Sequence, residues 1–348
     1  MTNAYLIYCR AGFEKEATAE LQHFATQYDW QGYVKSKADS AFVLFCGQDL
    51  PTTGKQAPQW RDLVFARQLL FLKHSEPLKL NAEDRISPLI EACDGQFYQD
   101  VVFEGADTND GKSLAGFFKS FAPAFSSVLK KRTLLRKKAE QRLHLFFLDS
   151  TTVYIGYSQI NNSSPWPMGV PRLRFPKDAP SRSTLKLEEA FHYYLDEQTQ
   201  QEWLREGMTG VDLGAAPGGW TWQLVDRGLQ VTAIDNGPMD KALMQSGQVE
   251  HLKVDGFKYR PERPVTWLVC DMIESPARVA QTIARGVSAG VEQTVGAGVG
   301  GVVGGVSDGV VAAAQSDLAV ARGLGESGMR SQITDEQLSV DVKHAGVI

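Results

Sequence analysis

The chain has 348 residues, is 43% apolar, and carries 36 Lys and Arg against 41 Asp and Glu, a formal net charge of −5. That suits a globular protein of two or three domains, and no apolar run is long enough to span a bilayer or to follow a charged start as a secretory leader. Cys9, Cys46, Cys93 and Cys270 are scattered without CxxC spacing, which excludes a zinc ribbon or a disulfide framework and suits the cytoplasm. No metal-ligand set stands out.

The charge is uneven. Residues 1–182 hold 23 Lys/Arg against 19 Asp/Glu, and the remainder 13 against 22, so the front half is the part expected to meet a polyanion. Ala4 to Arg10 alternates like a strand, Ala11-Gly12 turns the chain, and Ala17, Leu21 and Phe24 fall at helical spacing. Val34 to Cys46 and Leu63 to Leu72 read as further strands. This first α+β unit shows no catalytic constellation; His23 and His74 stand alone.

A second unit follows, with helices expected near Ile86–Ala92 and Leu114–Leu129 and strands near Phe97–Phe103 and Leu143–Tyr157. Between them, Lys130, Lys131, Arg132, Arg136, Lys137, Lys138 and Arg142 face a single acidic residue, Glu140. Such a cluster neutralises phosphates without reading sequence, and it is taken as an RNA-contacting segment. Asp107-Thr-Asn-Asp110 and the helix after it resemble a THUMP domain. Asn161 to Pro180 has five prolines, so it is expected to be a stiff linker. Trp166 and Phe175, interleaved with Arg172 and Arg174, either stack unpaired bases or pin the linker to a domain.

Ser181 to Phe191 reads as a capped helix entering the next domain. Then comes Val211-Asp-Leu-Gly-Ala-Ala-Pro-Gly-Gly-Trp220: an apolar strand, a Gly/Pro turn, and a helix start. Gly214, Gly218 and Gly219 let backbone approach a ligand, and the helix N-terminus behind them offers free N–H groups. The spacing is DxGxxPGG, not the GxGxxG of a dinucleotide turn. Three more apolar strands end in Asp235, Asp255 and Asp271. With Asp212, four carboxylates reach the carboxyl edge of a parallel sheet, where such folds bind ligands; read singly, each could instead cap a helix.

DxGxxPGG resembles motif I of S-adenosylmethionine (SAM) methyltransferases, in the form common to RNA ribose 2′-O-methyltransferases. DAPSRSTLKLEEAFH, VDLGAAPGGWTWQL, IDNGPM and WLVCDM, with CRAGFEKEA, VFARQ, EDRISP, ADTND, NNSSPWPMGVPRLRFP and VDGFKYRP further out, make the chain similar over residues 4–284 to the bacterial large-subunit (23S) rRNA 2′-O-ribose methyltransferase M family. The resemblance implies an α/β Rossmann-like SAM-methyltransferase domain behind an α+β THUMP-containing module. Residues 1–75 would be ferredoxin-like, 76–160 THUMP-like, 161–180 linker, 181–284 catalytic and 285–348 tail.

It further implies methylation of a cytidine ribose in naked or early-precursor 23S rRNA, near the peptidyl-transferase region, by a cytoplasmic monomer with SAM as methyl donor. Cofactor contacts are expected from Ser183, Asp212, Gly214, Ala216, Pro217, Gly218, Gly219, Asp235, Asp255 and Asp271. Lys186 and Asp271 match the first two members of the catalytic set.

The chain departs from the family pattern after Ala284. The family continues with a helix and an FNLKLP-type strand bearing a lysine general base; here the run is rich in Gly, Val and Ala, no aromatic follows Trp267, and the only lysine after Lys258 is Lys343. The tail is read as an out-of-frame continuation or an unrelated replacement, largely disordered, with the later strands missing and the Asp271 strand left as an edge. The alternative function is then a remnant that binds SAM and RNA without transfer. A small-molecule methyltransferase is disfavoured by the basic front half.

Overall fold

A computed structural model describes residues 2–93, 95–195, 197–274, 278–279 and 281–282, and the backbone of 293–298, 301–306 and 309–313. It divides into two compact units, residues 1–171 and 172–348.

The first unit is built on one eight-stranded sheet. Its elements are β1 (Asn3–Tyr8), α1 (Glu14–Gln27), β2 (Gly32–Ser36), β3 (Phe42–Gly47), β4 (Gln68–Leu72), β5 (Leu78–Lys79), α2 (Ile86–Cys93), β6 (Val101–Gly105), α3 (Asn109–Ser113), α4 (Ala115–Lys131), β7 (Gln141–Asp149) and β8 (Thr152–Gln159). The strand order is β2-β3-β1-β4-β8-β7-β6, with β5 on β8. All pairs are antiparallel except β6 with β7. The two expected front domains therefore share a sheet, joined where β4 meets β8.

Local chemistry explains the elements. Ala4 to Tyr8 are all buried, as befits a central strand. The Glu14 carboxylate reaches back to accept from the Gly12 and Ala41 amides, tying the start of α1 to the loop before β3. On α4, Phe117, Phe121 and Phe125 recur at i, i+4, i+8 and stack, with centroids 4.9 and 5.9 Å apart. They build the core with Leu89, Leu129, Leu143, Leu145 and Phe147.

Two expectations are corrected here. Val34 to Cys46 is a hairpin, not one strand: the chain turns through Asp39 and Ala41, both at positive φ (58° and 60°), with the Ser40 hydroxyl on the Lys37 carbonyl. The proline-rich stretch 161–180 is not one free linker, because its first part is strapped to the first unit. Asn162 accepts from the Trp60 amide at 2.7 Å and donates to the Pro58 carbonyl. Ser164 exchanges bonds with the buried Gln68 side chain, and the Met168 amide donates to Glu104 at 2.6 Å. Gly169, at φ 67°, lies so close to Arg67 that a Cβ would sit 1.9 Å from its carbonyl oxygen.

Glu104 is itself buried. Burial raises its carboxyl, but His144 Nδ1 at 3.0 Å, the Met168 amide and the Tyr8 hydroxyl at 2.7 Å outweigh this and hold it below the usual range.

The second unit contains α5 (Thr184–Tyr194), α6 (Glu197–Trp203), β9 (Thr209–Leu213), α7 (Gly219–Val225), β10 (Gln230–Ile234), α8 (Lys241–Gln245), β11 (Val249–Leu252), β12 (Trp267–Cys270), β13 (Gln293–Gly298), β14 (Gly301–Val306) and β15 (Gly309–Ala313). The sheet order is β11-β10-β9-β12-β13-β14-β15. The strands from β11 to β13 run parallel; β14 and β15 return antiparallel.

This corrects the expectation that the later strands are missing: β13 pairs with β12 in the register Trp267↔Gln293, so the Asp271 strand is not an edge. The β-branched valines at 295, 302, 303, 306, 310 and 311 favour extended backbone despite the glycines between them. The rest of the tail, for which disorder is expected, lies outside the described residues. Among the described residues, no helix is long and apolar enough to cross a membrane, and no group of three or more His, Cys, Asp or Glu could hold a metal ion.

Candidate active site

The parallel strands set three carboxylates side by side. In the order β10-β9-β12, Asp235 follows Ile234, Asp212 lies one residue before the end of β9, and Asp271 follows Cys270. The Asp271 amide donates to the Leu213 carbonyl at 3.0 Å, extending the β9–β12 ladder into the site. Asp255 comes three residues after the outer strand β11; it is 49% exposed and pairs with Lys258 at 3.7 Å, so it stands apart from this row.

The loop after β9 is fixed from several sides. Gly214 has φ 79°, and its amide donates to the Ile234 carbonyl at 2.9 Å. A Cβ there would lie 3.1 Å from the backbone nitrogen of Met272, whose sulfur also closes on Gly256. The Ala216 amide donates to Asp235 Oδ2 at 3.0 Å and the Gly237 amide to Oδ1 at 2.7 Å. Asp235 thus braces the loop and keeps further lone pairs for hydroxyls. Pro217 is exposed. Gly218, at φ 118°, caps α7, whose first amides have no partner within the helix.

Gly219 brings α7 against the start of α5. A Cβ would fall 2.2 Å from the Ser183 hydroxyl and 2.4 Å from that of Ser181, two hydroxyls that themselves lie 2.6 Å apart. The Trp220 indole donates to the Ser183 carbonyl at 2.9 Å, and the Gln223 amide group to that of Thr184. The helix so positioned carries Lys186, whose Nζ lies 3.1 Å from Asp271 Oδ1. Lys186 is 40% exposed and Asp271 19%. Burial raises the Asp271 carboxyl, and Lys186 pulls it part of the way back.

Asp212 is withdrawn from the site surface, which corrects its reading as a direct cofactor contact. It is fully buried; the Thr221 hydroxyl donates to Oδ2 at 2.6 Å, and Oδ1 has no partner. Burial, with a smaller push from Asp271 and Asp235, raises its carboxyl to about 7 against the Thr221 bond. Its place is beneath the loop. Met272 is the residue that sequence reading missed; its signal is its position beside Asp271, facing two glycines that admit it.

The expected RNA contacts divide. Lys130, Lys131, Arg132, Arg136, Lys137 and Lys138 are exposed on the first unit. Arg142 is not free: its guanidinium makes two bonds to Asp100, at 2.7 and 3.0 Å, and a third to the Ser164 carbonyl. On the second unit Arg172 and Arg174 are exposed, and Phe175, 37% exposed, has the Arg182 guanidinium 5.8 Å from its ring centre.

The donor set fits SAM. Carboxylates at the ends of β10 and β12, on either side of β9, suit ribose hydroxyls and a cationic amino acid, and a helix start suits a carboxylate.

Comparison with known proteins agrees. The family model for the RlmM ferredoxin-like domain matches residues 1–70. That for the N-terminal region of ribosomal RNA large subunit methyltransferase M matches 84–159, and that for FtsJ-like methyltransferases 179–288. Ribosomal RNA large subunit methyltransferase M of Cellvibrio japonicus is 47% identical over 287 residues, 81% of each chain. That of Methylococcus capsulatus is 47% identical over 287 residues, 81% of this chain and 80% of its own. Among solved structures, TrmN from Thermus thermophilus aligns over 85% of this chain and 89% of its own at 13% identity and a TM-score of 0.34, too loose to transfer any feature. With three matched regions in order and relatives at this identity over four-fifths of their length, the chain belongs to the ribosomal RNA large subunit methyltransferase M family.

Proposed function

We propose that this chain transfers the methyl group of SAM to the ribose 2′-hydroxyl of a cytidine in 23S rRNA. The observation that carries the reading is the Lys186–Asp271 pair, 3.1 Å apart beside the glycine loop. SAM, when bound, supplies an electrophilic methyl on a sulfonium. The chain must then hold a weakly nucleophilic hydroxyl in line with that methyl and manage its proton.

Asp271 fixes the Lys186 ammonium at the strand end, and Lys186 holds the target hydroxyl or the phosphate beside it. Asp235 receives hydroxyls of the donor, the start of α7 its carboxylate, and Ser183 and the Gly214–Gly219 loop close the pocket wall. The basic residues 130–138 and Arg172 and Arg174 contact RNA phosphates. The substrate is naked or early-precursor rRNA and the enzyme a cytoplasmic monomer.

The second reading, SAM and RNA binding without transfer, is favoured by one observation: no lysine lies between Lys258 and Lys343. Nucleoside mass analysis of rRNA treated with the chain and SAM tests the proposal. A ribose-methylated cytidine is the expected product. A methylated base would overturn the chemistry, and unmodified RNA with SAM bound would select the second reading.

A further inference from the structure

On the first unit, Phe97 is an exposed aromatic, 43% accessible, and the guanidinium carbon of Arg136 lies 3.2 Å from its ring centre. The two residues are 39 positions apart, yet the backbone holds them together. The Tyr98 amide donates to the Leu134 carbonyl at 2.9 Å and the Arg136 amide to the Tyr98 carbonyl at 2.8 Å, forming the isolated parallel bridge Tyr98↔Leu135. Tyr98 and Leu134 are buried beneath it, at 2% and 7% exposure. The stack is therefore built before any partner arrives, and little side-chain entropy remains to be lost on binding.

Its surroundings are cationic. Lys130 and Lys131 end α4, Arg132 caps it, and Lys137 and Lys138 follow Arg136, all exposed, with no acidic residue between 130 and 138. A hydrophobic ring left in water beneath a guanidinium, on a segment that carries further exposed cations, matches no need of the core, since the core packs beneath Tyr98. A planar cation offers a flat face for a nucleobase, and lysines alongside suit the flanking phosphates.

We propose that the Phe97–Arg136 stack is a platform for an unpaired nucleobase, so that the first unit recognises a single-stranded element of RNA and not only the charge of its backbone. The inference rests on the reading of the chain as RNA-directed but not on its chemistry. An acidic protein partner would meet the same cations but gain nothing from the flat guanidinium face.

The test is fluorescence anisotropy of the full chain with a labelled single-stranded oligoribonucleotide and with a duplex of the same length. Arg136→Lys, which keeps the charge and loses the plane, and Phe97→Leu, which keeps apolar bulk, should each weaken single-strand binding about tenfold and leave duplex binding within about twofold. Lys137→Ala should weaken both ligands alike and lower the salt slope by about one. Binding is read without SAM, so that no methyl transfer can occur, which separates a failure of this proposal from a failure of methyl transfer. Arg136→Lys binding like the parent, equal losses on both ligands, or no binding of the single strand by the parent would each overturn it.

Discussion

A Cβ on Gly219 would stand 2.2 Å from the Ser183 hydroxyl, so α5 and α7 approach each other as closely as a missing side chain allows. That approach aims Lys186 at Asp271. Gly219→Ala should therefore destabilise the second unit by about 1–3 kcal/mol and weaken SAM binding. Of the other close atoms one is also a serine hydroxyl, on Ser181, and one is the Thr184 backbone nitrogen at 3.1 Å, so adding Ser181→Ala and Ser183→Ala should restore part of the lost stability. Calorimetric SAM binding of the single variant and thermal unfolding of the single and triple variants read this directly; a triple variant no more stable than the single would place the clash elsewhere.

Asp271 should titrate in a way that reports its lysine. Burial raises its carboxyl and Lys186 lowers it, so Lys186→Met removes the opposing influence and the pKa rises further. Any step that needs ionised Asp271 should then fail at higher pH than in the parent. The measurement is SAM affinity across pH 4–8. A shift of the acid limb to lower pH, or none, would contradict the pairing.

Asp212, raised by burial like Asp271, gives a stability signature. Its folded pKa of about 7 lies above the unfolded carboxylate value near 4. Between those values the folded chain keeps a proton that the unfolded chain has released. The contribution is thus fully present below about pH 4 and lost as pH rises through about 7. Asp212→Asn should flatten the fall in unfolding free energy across that window and leave the variant more stable than the parent at pH 8, by about 1–3 kcal/mol. Denaturant unfolding at pH 4.5, 6 and 8 checks it; an unchanged slope would mean that another group titrates there.

Gly169→Ala should loosen the strap on the first unit. The residue combines φ 67° with a Cβ position 1.9 Å from the Arg67 carbonyl, so the strap must lift and the Met168 amide must leave the buried Glu104. A loss of about 2–4 kcal/mol is expected, with faster amide exchange at 162–169. Parent-like stability would show that the strap accommodates the change.

The carboxyl edge was legible because apolar runs ending in Asp235 and Asp271 announce both a strand and its end. The loop was legible because DxGxxPGG spaces its glycines where backbone must bend or close in. What failed depended on distant partners. Arg142 looked like one more free cation, and only the fold shows it held by Asp100, 42 residues away. The turn inside Val34–Cys46 hides because positive φ at Asp39 and Ala41 leaves alternation intact on both sides. Burial of Asp212 is a tertiary fact, since a strand residue one place from the edge can point either way. The Lys186–Asp271 match came from family resemblance, not from spacing, because no periodicity links residues 85 apart.

The most direct test of the central claim is methyl transfer from labelled SAM to unmodified 23S rRNA by the parent chain, Lys186→Ala and Asp271→Ala. The account expects label in RNA with the parent and a fall of about a hundredfold or more in both variants. A parent chain that binds SAM but transfers no label, or variants that transfer as fast as the parent, would contradict it.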